Sequence, residues 1–369
     1  MLPALRRLPE VYPLIDQRNY FVLHAPRQVG KTTALRSLAQ QLTASGRYAA
    51  LHFSCEAGEV AGDDVAEAQR ALLAHIRRSA ELYLPTELHP PPFPAEADTV
   101  LLGAALSSWA RVCPRPLVLF FDEIDALRGQ GLLTVLRQLR AGFHDRPGGF
   151  PSSVVLCGLR DVRDYKIASG DREHLGTSSP FNIKVESLTL RNFTRDEVAE
   201  LYQQHTDDTG QPFLQEAVDR AFYWTQGQPW LVNALARQMV EQLVPDRTQG
   251  LTSAHVDAAK EILLKRQDTH LDSLAERLRE PRVRRMLAGL ALGDVPQDDL
   301  RFVQELGLVR MGSTGGRAGA ARQISGGAGA RHRLAGHLRP ARRAAPIAER
   351  TLATRARTPA GREVSVVRA

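Results

Sequence analysis

Apolar positions change their spacing twice along the chain. Between Tyr20 and Leu190, short wholly apolar runs alternate with stretches of helical period. "YFVLH" reads as a buried strand, and Lys31 to Thr43 as a helix with Leu35, Leu38, Ala39 and Leu42 on one face. "RYAALHFSC" is a second strand and Asp63 to Leu84 a helix. The proline-rich "PTELHPPPFP" follows as a loop that no regular element could contain. A helix over Asp98 to Val112 then leads to "PLVLFFDE", a third strand, and "LLTVLRQLRAGF", another helix. "SSVVLCG" and "IKVESLTL" are the fourth and fifth strands. Strands apolar throughout, alternating with helices, predict an α/β fold: a parallel sheet covered on both faces.

After Leu190 only the helical period remains. Thr194 and Glu197 are spaced as a capping box, with Phe193 and Val198 as the staple around it. Leu214, Ala217, Val218, Ala221 and Phe222 share one face of the next helix. Further helices are expected near Trp230–Leu243, Ser253–Gln267, Pro281–Leu292 and Gln297–Glu305, and "LGLVRM" opens a small β-wing. From Gly312 to the end the composition breaks, with no aromatic residue and no Lys, Asp, Asn or Cys. Such a segment buries too little apolar surface to offset its ordering entropy, so it is expected to be disordered. Its abrupt start inside a predicted wing has the look of out-of-frame translation of a GC-rich gene.

A chain of 369 residues can hold two or three domains with their own cores. Its longest apolar runs fall short of a membrane span, and "MLPALRRLPEVYPLID" lacks the apolar stretch of a signal peptide. Cys55, Cys113 and Cys157 are odd in number and lack metal-ligand spacing, which fits reduced thiols in a cytoplasmic protein. The formal charge of +7 misleads. Residues 312 to 369 carry twelve Arg and two Glu, a net of +10, which leaves −3 for residues 1 to 311. The basic balance therefore says nothing of nucleic-acid binding by the folded part.

Two motifs bear chemistry. In "FVLHAPRQVGKTTALRSLA" a strand turns into a helix at Gly30-Lys31-Thr32. A helix N-terminus offers unpaired N–H groups and partial positive charge, and a tight loop before it can wrap a phosphate. Gly30 allows close approach, Lys31 reaches the β- and γ-oxygens, and the Thr32 hydroxyl is a ligand for Mg²⁺. Ala25 stands where a glycine is usual, and the bland alternative is an ordinary strand-to-helix turn. In "LVLFFDEIDAL", Asp122 and Glu123 end an apolar strand, where Asp122 can hold Mg²⁺ through water and Glu123 can act as general base. The alternative there is a solvated helix start with acidic residues favoured by the dipole. Arg160, after the fourth strand, is placed to sense the γ-phosphate or to pair with Asp161 or Asp164. Gly227 and Pro229 read as a helix stop and start.

The segment from Asp16 to Arg310 resembles bacterial ATPases of the AAA+ superfamily, in the AAA-like group related to archaeal ATPases and STAND-type switch NTPases. The resemblance rests on "APRQVGKTT" and "LFFDEIDAL" (the Walker A and B motifs), "VVLCGLRDVRDYK", "SPFNIKVESLTLRNFTRDEV" and "TQGQPWLVNALA". It implies a P-loop core over residues 1–190 with an additional strand, a helical lid over 191–268, and a winged-helix-like segment over 269–311. It also implies ATP and Mg²⁺ as ligands. The loop Ala25, Pro26, Arg27, Gln28, Val29, Gly30, Lys31, Thr32 and Thr33 would cradle the phosphates. Arg160 would take the sensor position, and Pro229 the place where the lid closes near the adenine. Family members commonly begin further upstream and often continue into a PD-(D/E)XK nuclease-like domain, for which residues 312–369 carry no pattern.

Three functions follow from that resemblance. The first is Mg²⁺-dependent ATP hydrolysis driving a switch or remodeller. The second is a DNA-associated ATPase reading DNA through the winged-helix-like segment. Acidic Asp298, Asp299 and Glu305 suit that poorly, and Arg282, Arg284 and Arg285 suit it better. The third is a nucleotide-binding scaffold with little turnover alone, completed by a protein partner or a second copy whose arginine, Arg146 or Arg163, serves as finger.

Overall fold

The computed structural model describes residues 2, 4–26, 28–62, 64–158, 184–266, 283, 309–311, 354–357 and 363–366. These fall in two units, Met1–Leu263 and Leu264–Ala369.

All five apolar runs of the first unit are strands: β1 (Tyr20–His24), β2 (Ala49–Ser54), β3 (Leu117–Asp122), β4 (Ser153–Gly158) and β5 (Lys184–Thr189). Every pairing is parallel, in the order β2-β3-β4-β1-β5. Strands β1, β3 and β4 are buried at every position, because helices cover both faces. Successive side chains point to opposite sides, and the core divides accordingly. Phe21, Leu23, Phe120 and Val155 pack on one side with Leu35 and Leu38 of α2 (Lys31–Ala44) and Val11 and Ile15 of α1 (Val11–Asp16). On the other, Val22, Leu51, Phe53, Leu119 and Phe121 meet α3 (Val65–Tyr83), α4 (Leu101–Val112) and α5 (Gly129–Ala141). Each fully buried side chain of this size contributes about 1.5–3 kcal/mol.

The amino-terminal residues hold more structure than their apolar pattern predicts. A 3₁₀ turn over Ala4–Arg7 precedes α1, and Leu8, Val11 and Ile15 are buried against the sheet. Six residues are too few to display a helical period. Pro13 at the third helical position hides the element further, though its missing N–H costs nothing in a first turn. The proline-rich loop also holds a regular piece, a 3₁₀ turn over Thr86–Leu88 that buries Leu88. Trp109 Nε1 donates to the Leu88 carbonyl at 3.0 Å and pins it.

The helical part contains α6 (Arg195–Thr209), α7 (Gln215–Thr225), α8 (Pro229–Gln238) and α9 (Ser253–Arg266), with a π-helical turn over Met239–Leu243. The capping box of Thr194 and Glu197 is formed in both directions. Val198, Tyr202, Ala217, Val218, Val232 and Val256 make its core, and Phe193 packs on them as the staple. Leu214, expected on the buried face, is the exposed N-cap of α7.

In the second unit, β6 (Val309–Met311), β7 (Thr354–Arg357) and β8 (Glu363–Val366) form an antiparallel sheet in the order β6-β8-β7. "LGLVRM" thus contributes a strand, as expected. Two of the three strands, β7 and β8, lie in the segment expected from its composition to be disordered. Thr354, Val364 and Val366 are β-branched and favour extended backbone even in a poor setting. The expected helices Pro281–Leu292 (except Val283) and Gln297–Glu305, and the remaining tail, lie outside the described residues.

Candidate active site

The loop between β1 and α2 is shaped by two left-handed residues, Gln28 (φ 60°) and Gly30 (φ 89°). Ala25 is not one of them and is fully buried. Alanine therefore fills the place where glycine is usual without backbone strain. Gly30 is also the N-cap of α2 and offers no side chain to its first amides, which stay available to an anion. Lys31 Nζ donates to the carbonyls of Ala25 at 2.7 Å and Pro26 at 2.9 Å. Burial draws its ammonium below the usual value, against the opposing pull of nearby carboxylates that include Asp122 and Glu123.

At the end of β3 the Asp122 carboxylate is 1% exposed. Its Oδ2 accepts from Thr32 Oγ1 at 2.7 Å and lies 3.0 Å from His52 Nε2, while Oδ1 accepts the Glu123 amide at 3.0 Å. Burial alone would raise its pKa, but the hydrogen bonds from His52 and Thr32 outweigh that and hold it below the ordinary carboxylate range. Glu123 turns the chain in a left-handed conformation (φ 55°), and its Oε2 accepts from Ser54 Oγ at 2.5 Å. Ser54 reaches it because Ser54 and Asp122 are paired in register, so β2 and β3 end together. The charge of Glu123 raises the pKa of neighbouring Glu56.

Gly30, Lys31, Thr32, Asp122, Glu123 and Glu56 line a cavity of about 550 Å³. Five carboxylates face it, those of Glu56, Glu59, Asp122, Glu123 and Asp125, against Lys31 and Arg128. Among the described residues no group of three or more His, Cys, Asp or Glu forms a metal cage. The oxygen pair of Thr32 and Asp122 instead suits a hard cation that takes its other ligands from phosphate and water.

Residues 15–165 match the family model of the AAA domain. The matched stretch spans β1 to β4 and both motifs. No protein of curated function matches it. Among solved structures it is similar to the Walker-type ATPase PABY2304 of Pyrococcus abyssi, with 15% identity and a TM-score of 0.57, covering 84% of this chain and 90% of that one. It is less similar to the Aeropyrum pernix ORC1 protein in complex with DNA (16%, TM-score 0.44, 85% and 87%) and to the Thermotoga maritima RuvB Holliday junction branch migration motor (15%, 0.45, 84% and 88%). At 15% identity the likeness to the Pyrococcus ATPase is one of fold.

The parallel sheet brings Gln28, Gly30, Lys31, Thr32, Thr33, Asp122 and Glu123 to one cavity. Pro229 is the first residue of α8, and the Gln228 side chain before it caps α8 and reaches the Gln28 carbonyl at a long 3.5 Å. The turn before α8 thus meets the β1–α2 loop beside Pro229. Arg146 is placed elsewhere. Its guanidinium donates to the carbonyls of Phe143 and Arg18 and lies 4.8 Å over the Tyr20 ring, at the opposite end of β1 from the loop. Arg27, Arg160 and Arg163 lie outside the described residues, as do Arg282, Arg284, Arg285 and the acidic segment after Gln297.

Sequence reasoning missed His52, Ser54 and Arg7. The first two left a faint signal, since "LHFS" puts polar side chains into a strand expected to be apolar on both faces. Arg7 left none, because its partners are backbone carbonyls. All three cysteines are free thiols, and Cys55 and Cys157 are buried. Among the described residues no helix is long and apolar enough to cross a membrane.

Proposed function

We propose that this AAA+ core binds ATP with Mg²⁺, hydrolyses it, and passes the nucleotide state to its helical lid as a switch or remodeller. The observation that carries the reading is the 2.7 Å hydrogen bond between the Thr32 hydroxyl and the Asp122 carboxylate, residues 90 apart in the sequence. Two motifs that each have a bland explanation meet at one point, beside the lysine and the open amides of α2.

Thr32 and Asp122 would hold Mg²⁺, which offsets charge on the β- and γ-phosphates. Lys31 exchanges the Ala25 and Pro26 carbonyls for phosphate oxygens, and the α2 amides take others. Glu123, positioned by Ser54, accepts the proton of the attacking water. The water oxygen bonds to the γ-phosphorus as the bond to the β-bridging oxygen breaks, leaving ADP and phosphate. Since phosphoryl transfer asks mainly for placement and charge stabilisation, a site of fixed donors is what it requires. The Gln228 contact with the loop supports the lid as the part that responds.

Binding of a fluorescent ATP analogue to Lys31→Ala tests this. Loss of the ammonium should weaken affinity by at least about a hundredfold, on the order of two charge-assisted hydrogen bonds. Equal affinity for variant and parent would sink the assignment.

A further inference from the structure

The amino-terminal turn ties together three parts of the first unit, and one side chain does so from a buried position. Arg7 is 7% exposed. Its Nη1 donates to the carbonyl of Val29 at 3.0 Å and to that of Arg191 at 3.0 Å. Its Nη2 lies 3.4 Å from the point a Cβ on Gly30 would occupy, and its guanidinium stands 4.9 Å over the Phe193 ring. Val29 and Gly30 belong to the phosphate-binding loop. Arg191 to Phe193 is the segment that leaves the sheet for the lid.

That segment is itself locked to the turn before α8. The Phe193 amide donates to the Gly227 carbonyl at 2.8 Å. Gly227 is left-handed, and a Cβ there would stand 2.0 Å from the Phe193 carbonyl oxygen. The path from Val29 through Arg7 to Arg191, Phe193 and Gly227 is therefore continuous and tightly packed.

A guanidinium is an expensive choice for this place. Among the described residues no carboxylate accepts its hydrogen bonds and its Nε has no hydrogen-bond partner, and burial lowers its pKa to about 10. An apolar side chain of similar volume would fill the space without that cost. What only arginine supplies is the reach of a planar head: its Nη1 donates to carbonyls on two separate segments while its face rests on an aromatic ring. Neighbouring Arg6 makes an exposed ion pair with Glu200 at 2.6 Å, a contact of the sort that contributes little.

We infer that Arg7 is a positioning residue that couples the phosphate-binding loop to the lid. A shift of Val29 as the loop closes on phosphate moves the guanidinium, which carries Arg191 and Phe193 and, through them, the Gly227–Pro229 turn. This rests on the nucleotide-site reading above.

Amide hydrogen exchange of the full chain, with and without Mg²⁺–ADP, tests it in the parent, Arg7→Lys, Arg7→Ala and Arg6→Ala. A lysine keeps the charge and most of the stem but ends one bond short of the Nη1 position and has no planar face for the Phe193 ring, so Arg7→Lys serves if Arg7→Ala fails to fold. In the parent, nucleotide should slow exchange in residues 28–33 and also in 226–231. In Arg7→Lys the loop should still be protected while the response of 226–231 falls roughly tenfold, the weight of one charge-assisted hydrogen bond. Arg6→Ala should behave as the parent. The coupling is overturned if 226–231 responds fully in both Arg7 variants, or if Arg6→Ala loses the response equally. Should the parent bind no nucleotide, the functional reading fails by itself. The ligand-free samples then decide the coupling: the Phe193 and Gly227 amides should exchange roughly tenfold faster in Arg7→Lys, and unchanged exchange refutes it.

Discussion

Asp122 is held by three donors from three segments: Thr32 on α2, His52 on β2 and its neighbour's amide. Its folded pKa lies below its unfolded value near 3.8. The stability it contributes is therefore complete above that value and is lost as pH falls through the lower folded one. His52→Leu removes one of the donors that hold the carboxylate's pKa down. It should cost about 1–3 kcal/mol at neutral pH and move acid unfolding to higher pH. Circular dichroism during acid titration reads this, and an unmoved midpoint would show that His52 does not hold the carboxylate. At the next residue, Glu123→Gln keeps an oxygen to accept from Ser54 Oγ but removes the base. ATP affinity should stay at the parental level while kcat falls by about 10²–10⁴. Parental turnover would assign the base elsewhere. That Lys31, Thr32, Asp122 and Glu123 share one cavity was legible in the sequence, because both motifs follow apolar strands and the ends of parallel strands meet at one edge of the sheet. His52 and Ser54 were not, because each takes its meaning from a neighbouring strand whose register no local pattern displays.

Among the elements, the turn of Gly227 is the most demanding. Its left-handed φ of 71° and its closeness to the Phe193 carbonyl leave no room for a side chain. Gly227→Ala should strain the backbone by about 1–2 kcal/mol, with the displaced Phe193 contact in addition. The lid should then melt or be cleaved before the sheet, and a single transition at the parental temperature would refute that. Elements with long periods or cap signals, such as α2, α3 and the capping box of α6, could be read before any coordinates. The turn at Ala4–Arg7 and α1 could not, being too short to show a period and ordered only by the sheet and loop they pack on. Leu214 misled for a related reason. It matches the spacing of its helix but sits one residue before the helix starts, where the face it would share has not begun.

At the scale of the molecule, the strand order separates β1 from β3 by β4, so the loop and Asp122 approach across an intervening strand. The parallel sheet was legible from its apolar runs, whereas the order of strands depends on helix crossovers that periodicity does not encode. Every described residue of the candidate site lies within Met1–Leu263. A chain ending at Arg266 should therefore bind nucleotide as the full chain does, as titration with the fluorescent analogue would show. It should also lose the salt-sensitive binding to DNA of any sequence expected from the +10 charge of residues 312–369. Weaker nucleotide binding by the shorter chain would mean that the second unit completes the site.

The Lys31 ammonium is already spoken for, by the carbonyls of Ala25 and Pro26. Any incoming anion must outbid two existing partners, so affinity at this loop is a difference between bonds gained and bonds surrendered. A ligand that brings one oxyanion recovers little more than it displaces. A ligand with a chain of phosphates would recover the lysine, the helix amides and a cation together, and the loop would thereby tell a polyphosphate from free orthophosphate before any base is read.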